Sequence, residues 1–249
     1  MCIGQDGSPA RNAGQKVLFD TLARRSLDRV SYYKLDAGQP PGRAELAGVL
    51  LHGRDRTAEE MLDIASQIDL TPWRWVAPAA DVGSWYPHRF MDPLAMNENA
   101  LEAALTRCNL AVDDASESGR LGPERLALIG FSQGACVACE YVLRHPRRCR
   151  ALIMFTGSII GTDALPWRRA RPRLDGLRVL ITGSDIDEWV DQARVRDSAE
   201  VLRDCGADVR LRIYAGRPHI VSPPEIEEAR GILQDLRFAL PTVSPEPLL

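Results

Sequence analysis

From about residue 47 onward, short aliphatic runs alternate with stretches whose apolar positions recur every three or four residues. The runs at 47–51, 75–77, 126–129, 151–155 and 177–181 are continuous and largely aliphatic. Strands buried on both faces of a mostly parallel, helix-covered sheet have this pattern. At 209–214, Val209, Leu211 and Ile213 alternate with Arg210 and Arg212. Period-two polarity predicts a half-exposed strand near a sheet edge. Residues 29–35 are a candidate outer strand.

Helical patterns fill the intervals. Thr57-Ala58-Glu59-Glu60 is a capping box, followed by Met61, Ile64, Ala65 and Ile68 on one helical face. Leu101, Leu105, Cys108 and Val112 form a second stripe with Gly119 as its stop. A helix over 194–205 ends at Gly206, and one over 224–240 is entered through Pro223 and Pro224 and closed by Pro241. Strands alternating with helices define a layered α/β domain. The expected organisation is a flexible N-terminus over 1–15, one domain over 16–240 and a tail over 241–249.

Composition narrows the function classes. In 249 residues, 31 Lys and Arg face 34 Asp and Glu, for a net charge of −3. That balance argues against nucleic-acid binding through global positive charge. Nearly all the positive charge is arginine, since Lys16 and Lys34 are the only lysines. The first fifteen residues lack the apolar stretch of a signal peptide, and no run reaches the roughly 18 apolar residues of a membrane span. Six cysteines lie scattered without framework spacing, as reduced thiols in a cytoplasmic protein do. No Cys/His cluster or acidic triplet has metal-ligand spacing, so neither metal nor cofactor is expected.

Gly130-Phe131-Ser132-Gln133-Gly134 carries the strongest chemical signal. It joins the run 126–129 to a helical stretch over 135–143. G-x-S-x-G at a strand-to-helix turn is a nucleophile elbow: the glycines relieve crowding while the turn lifts the serine hydroxyl clear of the sheet. A chance match is expected roughly 0.07 times in a chain of this composition, so the context adds what the pentapeptide lacks.

Such a serine needs a base, and the chain has four histidines. His52 precedes the elbow, His88 lies in a long loop, and His145 ends the helix that follows the serine. His219, in Gly216-Arg217-Pro218-His219, comes directly after the edge strand, where a hydrolase base belongs. An orienting acid should follow the strand 177–181. Asp185 and Asp187 both do, and their spacing does not separate them.

These pieces together resemble the carboxylesterase/phospholipase group of α/β-hydrolases, which includes the acyl-protein thioesterases. The matching segments are Leu51-His52-Gly53-Arg54, Ala77-Pro78-Ala79-Ala80 with Trp85-Tyr86-Pro87, the elbow, Asp187-Glu188-Trp189-Val190, and Gly216-Arg217-Pro218-His219. They cover 47 to about 240, in the family's order. The resemblance implies an α/β-hydrolase fold and a triad of Ser132, Asp187 and His219. It also implies an oxyanion hole from the backbone N–H groups of Arg54 and Gln133. The chain departs from the family pattern at two positions: Asp55 replaces the second glycine of His-Gly-x-Gly, and Asp191 replaces a proline. Asp tolerates left-handed backbone better than most residues.

The expected activity is hydrolysis of short to medium acyl esters through an acyl-enzyme. Acyl thioesterase and lysophospholipase are the nearest variants, and a catalytically silent, ligand-binding α/β-hydrolase is the alternative from another class. The partner is a small-molecule ester, with no nucleic acid or integral membrane; a homodimer is left open. In the loop 78–97, Trp85, Tyr86, Phe90, Met91, Leu94 and Met96 either pack onto the core or wall the substrate site. Trp85 and Tyr86 are the substrate-binding candidates, and residues 157–161 are a candidate rim by family analogy. Cys136 and Cys139 are expected as two core thiols, and Arg168, Arg169, Arg171 and Arg173 as a solvated loop. The connection 161–176 is too short for a large cap, so the cleft should be open.

Overall fold

Seven strands form one sheet in the order β1-β3-β2-β4-β5-β6-β7. In the computed structural model, which describes residues 32–68, 71–117 and 120–238, the strands are β1 (Lys34–Gly38), β2 (Leu46–Leu51), β3 (Trp73–Pro78), β4 (Leu126–Phe131), β5 (Ala151–Phe155), β6 (Arg178–Ser184) and β7 (Asp208–Tyr214). β1 pairs antiparallel with β3, and every other pairing is parallel. β2 to β5 are buried along their whole length, as the unbroken apolar runs of β2, β4 and β5 require; β3 is buried as well, although Arg74 breaks its run. β7 lies at the edge with its exposed positions alternating. The helices are α1 (Ala58–Ile68), α2 (Glu98–Ala115), α3 (Gln133–Arg144), α4 (Leu165–Ala170), α5 (Gln192–Asp204) and α6 (Pro223–Phe238).

α1 and α6 cover one face of the sheet. Met61, Ala65 and Ile68 of α1 pack with Ile226, Ala229, Leu233 and Leu236 of α6 against Trp75, Ile129, Ile153 and Leu180. α2, α3 and α5 pack on strands β2 to β7. Thr57 Oγ1 accepts the N–H of Glu60 at 3.3 Å, so the capping box starts α1 as expected.

Several expectations shift. The outer strand is Lys34–Gly38, displaced from 29–35, whose first residues lie outside the described ones. The expected flexible N-terminus over 1–15, the stop at Gly119, and the tail over 241–249 also lie outside them. Arg168 and Arg169 belong to α4, and Arg168 pairs with Asp197, Glu200 and Asp204 of α5. Among the described residues, no helix is long and apolar enough to cross a membrane.

Candidate active site

β4 ends at Phe131 and α3 begins at Gln133, so Ser132 alone turns the chain. Its φ of 53° and ψ of −118° are strained for a residue with a side chain, a cost of about 1–3 kcal/mol held by the surroundings. Both elbow glycines are required. A Cβ on Gly130 would lie 2.5 Å from the backbone of Gly134 and Ala135, and one on Gly134 would lie 2.1 Å from the Leu51 carbonyl oxygen. The Ser132 N–H donates to the Phe155 carbonyl at 2.9 Å, tying the turn to the end of β5.

His219 Nε2 stands 2.9 Å from Ser132 Oγ, and its Nδ1 stands 2.7 Å from Asp187 Oδ2. With Nδ1–H donating to the carboxylate, Nε2 is free to accept the serine proton. The other carboxylate oxygen, Oδ1, accepts the N–H groups of Trp189 and Val190, each at 2.9 Å. Burial raises the Asp187 pKa, but the His219 ring and these two amides outweigh it and hold the carboxyl below the usual range. Val190, 2% exposed, anchors this loop in the core.

Asp185 takes a different place. Its Oδ1 accepts the Gly216 N–H at 2.7 Å, joining the β6 loop to the loop that carries His219. Asp191 caps α5, accepting the Ala193 N–H at 2.8 Å, and does not line the cleft. His145 ends α3, tilted against Tyr141 at 4.7 Å.

Neither Arg54 nor Gln133 commits its backbone N–H to a hydrogen bond among the described residues. Asp55 adopts φ 56° and donates its N–H to Gly83 O at 2.9 Å, so the left-handed turn survives the loss of glycine. The side chains of Arg54 and Gln133 perform a task that sequence reasoning missed. The Arg54 guanidinium donates to the carbonyls of Tyr86, Pro87 and His88 at 2.7–2.9 Å. Gln133 Oε1 accepts the Trp85 N–H at 2.9 Å while Nε2 donates to Tyr86 O at 2.7 Å. The aromatic loop is thus clamped from both of the expected oxyanion positions. Asn97 closes the loop, accepting the His88 N–H at 2.9 Å and donating to Arg89 O at 3.1 Å. The partners of Arg54 and Gln133 lie more than 30 residues away along the chain, so no local sequence pattern signals these bonds.

His52 is buried beneath this loop. Its Nδ1–H donates to Gly53 O at 2.7 Å, and Nε2 accepts the Ala80 N–H at 3.0 Å. Burial lowers its pKa, in keeping with a neutral ring bonded at both nitrogens.

The cleft has a volume of about 770 Å³. Ser132 and His219 meet Tyr86, Phe90 and Cys136 inside it, with Arg56 and Trp189 among the residues nearer its rim. Tyr86 lines the cleft. Trp85 requires correction: it does not line the cleft, because its ring is 4% exposed, donates Nε1–H to His52 O at 2.8 Å and packs on the His52 ring. Residues 157–161 do not line this cleft either; the Gly161 N–H donates to Phe90 O at 2.7 Å. Cys136 and Cys139 are buried free thiols, the first with its pKa pushed up by burial to about 11. Among the described residues, no group of three or more His, Cys, Asp or Glu side chains is placed to hold a metal.

An elbow serine, a following histidine and a mostly parallel sheet place the chain among the α/β-hydrolases. The family model described as Phospholipase/Carboxylesterase matches residues 39–236, and the chain belongs to that family. It is similar to a phospholipase/carboxylesterase from Dyadobacter fermentans, at 34% identity and a TM-score of 0.76 over 82% of this chain and 97% of that one. Esterase PE8 follows at 26% identity and 0.66, covering 83% and 98%. A carboxylesterase from Mesorhizobium loti, at 20% identity and 0.62 over 76% and 88%, shares the fold. No curated protein matches significantly.

Proposed function

We propose that this hydrolase is a serine carboxylesterase acting on short to medium acyl esters through an acyl-enzyme. The observation that carries this is the continuous chain Ser132 Oγ–His219–Asp187, with bonds of 2.9 and 2.7 Å, opening into the cleft. His219 Nε2 takes the proton of Ser132 as Oγ attacks the ester carbonyl, then returns it to the leaving alcohol. Asp187 holds the imidazole in the required tautomer and faces the imidazolium charge as it forms. The amides of Arg54 and Gln133, uncommitted elsewhere among the described residues, receive the oxyanion. Water repeats the sequence on the acyl-enzyme, with His219 again the base.

The preference for smaller acyl groups is supported by the connection between β5 and β6, which holds only the six-residue α4. Tyr86 and Phe90 offer an apolar wall beside Ser132. The five described cysteines are all free and buried, which suits a reducing cytoplasm.

A fluorophosphonate should label Ser132 and abolish hydrolysis of p-nitrophenyl acetate and butyrate, and Ser132→Ala should be inactive. Mass spectrometry placing the adduct on another serine, or an active Ser132→Ala, would overturn the assignment. Thioesters of equal chain length, run in parallel, separate esterase from thioesterase. Better turnover of triglyceride emulsions than of soluble short esters would contradict the size preference.

A further inference from the structure

His219 sits on a loop between β7 and α6, and a buried polar cluster that does not line the cleft holds that loop. Its centre is Arg217, 6% exposed. The guanidinium donates to the carbonyls of Pro218, at 2.7 Å, and Ile220, the two residues flanking His219. It also donates to Thr156 Oγ1 at 2.6 Å, and its Nε lies 3.3 Å from Glu225 Oε2 in an ion pair. Glu225 is fully buried in the first turn of α6; it accepts the hydroxyl of Thr182 on β6 and both the N–H and the hydroxyl of Ser222.

Thr156 connects this cluster to the nucleophile. It follows Phe155, whose carbonyl accepts the Ser132 N–H, and it holds a φ of 52°. The path from the serine's peptide to the histidine's therefore runs through Phe155, Thr156 and Arg217. A buried ion pair contributes little to net stability, since desolvation offsets its attraction. The hydrogen bonds from Arg217 to Pro218, Ile220 and Thr156 have fixed directions, so what the cluster imposes is geometry.

We propose that Arg217, fixed by Thr156 and Glu225, is a positioning residue that sets His219 against Ser132; this rests on Ser132 and His219 performing ester hydrolysis. A shift of about 1 Å between reacting groups costs as much as 100-fold in rate, so a small relaxation of this loop would register in kcat. Because none of the cluster lines the cleft, KM should not change.

The test compares Thr156→Val, which keeps shape and branching but removes the hydroxyl, with Thr156→Ser, which keeps it. With p-nitrophenyl acetate, Thr156→Val should lose about tenfold in kcat with KM unchanged, and its fluorophosphonate labelling should slow equally. Thr156→Ser should match wild type. Arg217→Met should lose more, about 100-fold. Should that variant not fold, the threonine pair still decides. A Thr156→Val enzyme with wild-type kcat and labelling rate overturns the proposal, even if its Tm falls. Equal losses in both threonine variants, or a change confined to KM, overturn it as well. Ser132→Ala on the same ester separates the two levels. If it is inactive while Thr156→Val is normal, only the positioning role fails; if it is active, the esterase assignment and this inference fail together.

Discussion

Asp185 and Asp187 follow the same strand two positions apart, and their hydrogen bonds separate them. Asp187 receives His219 and two amides of its own loop, whereas Asp185 receives Gly216 across the gap to the next loop. Asp187→Asn should therefore lower kcat by roughly 10⁴-fold in a folded protein, the loss found in a serine protease whose triad aspartate became asparagine. Asp185→Ala should cost about 1 kcal/mol of stability and leave most of kcat. Measuring kcat and Tm side by side checks both, and an inactive, normally folded Asp185→Ala would reverse the roles. Arg54→Met leaves its backbone amide in place but removes three bonds to the aromatic loop. Steady-state kinetics should show KM raised by roughly tenfold, with kcat changed less, for an acyl chain long enough to reach Tyr86. The serine and histidine were legible from the elbow and from loop placement, and the acid only through family resemblance. The roles of Arg54, Gln133 and Arg217 were hidden, because a side chain that serves distant carbonyls leaves no local pattern.

At the level of elements, the elbow shows how little tolerance close packing leaves. Gly134→Ala would press a methyl into the Leu51 carbonyl, and separating β2 from α3 to admit it should cost about 3 kcal/mol or more, read as a fall in Tm. Apolar stripes located α1 and α2, whereas α5 and α6 were placed by the glycine and prolines at their ends. Strand ends were harder to read where polar residues are buried. Arg74 interrupts the apolar run of β3, yet it is 3% exposed and pairs with Asp36 and Asp114, so the strand begins at Trp73. Thr182-Gly183-Ser184 looks like a turn, but it is the buried end of β6, with the Thr182 hydroxyl bound to Glu225. Gly183 serves packing there: a Cβ would lie 3.1 Å from the Val195 side chain of α5.

Two properties belong to the molecule as a whole. β7 is an edge, and its outward Arg210 and Arg212 both pair with Glu228 of α6. Charges on an edge strand oppose pairing with a second chain. Replacing both arginines with valine should change Tm little but promote concentration-dependent aggregation, measurable by light scattering. The second property is pH dependence. The folded pKa of His52 is depressed, so its contribution to stability is complete above about pH 6.5 and is lost as pH falls through the lowered value. Asp187, also depressed, adds a further loss below about pH 3.9. Tm should thus be level near neutrality and fall on acidification. His52→Gln, which cannot protonate, should begin with a lower Tm and lose less between pH 7 and 5.

Arg54 follows β2, Ser132 follows β4, Asp187 follows β6 and His219 follows β7, so four strand ends spread along the chain must meet before the site exists. Synthesis proceeds from the N-terminus, so the histidine and the helix that anchors its loop emerge after the other three strand ends. On the proposed chemistry, a ribosome-bound chain carries its elbow serine well before its base. It stays inert toward cellular esters until β7 and α6 have left the exit tunnel and docked.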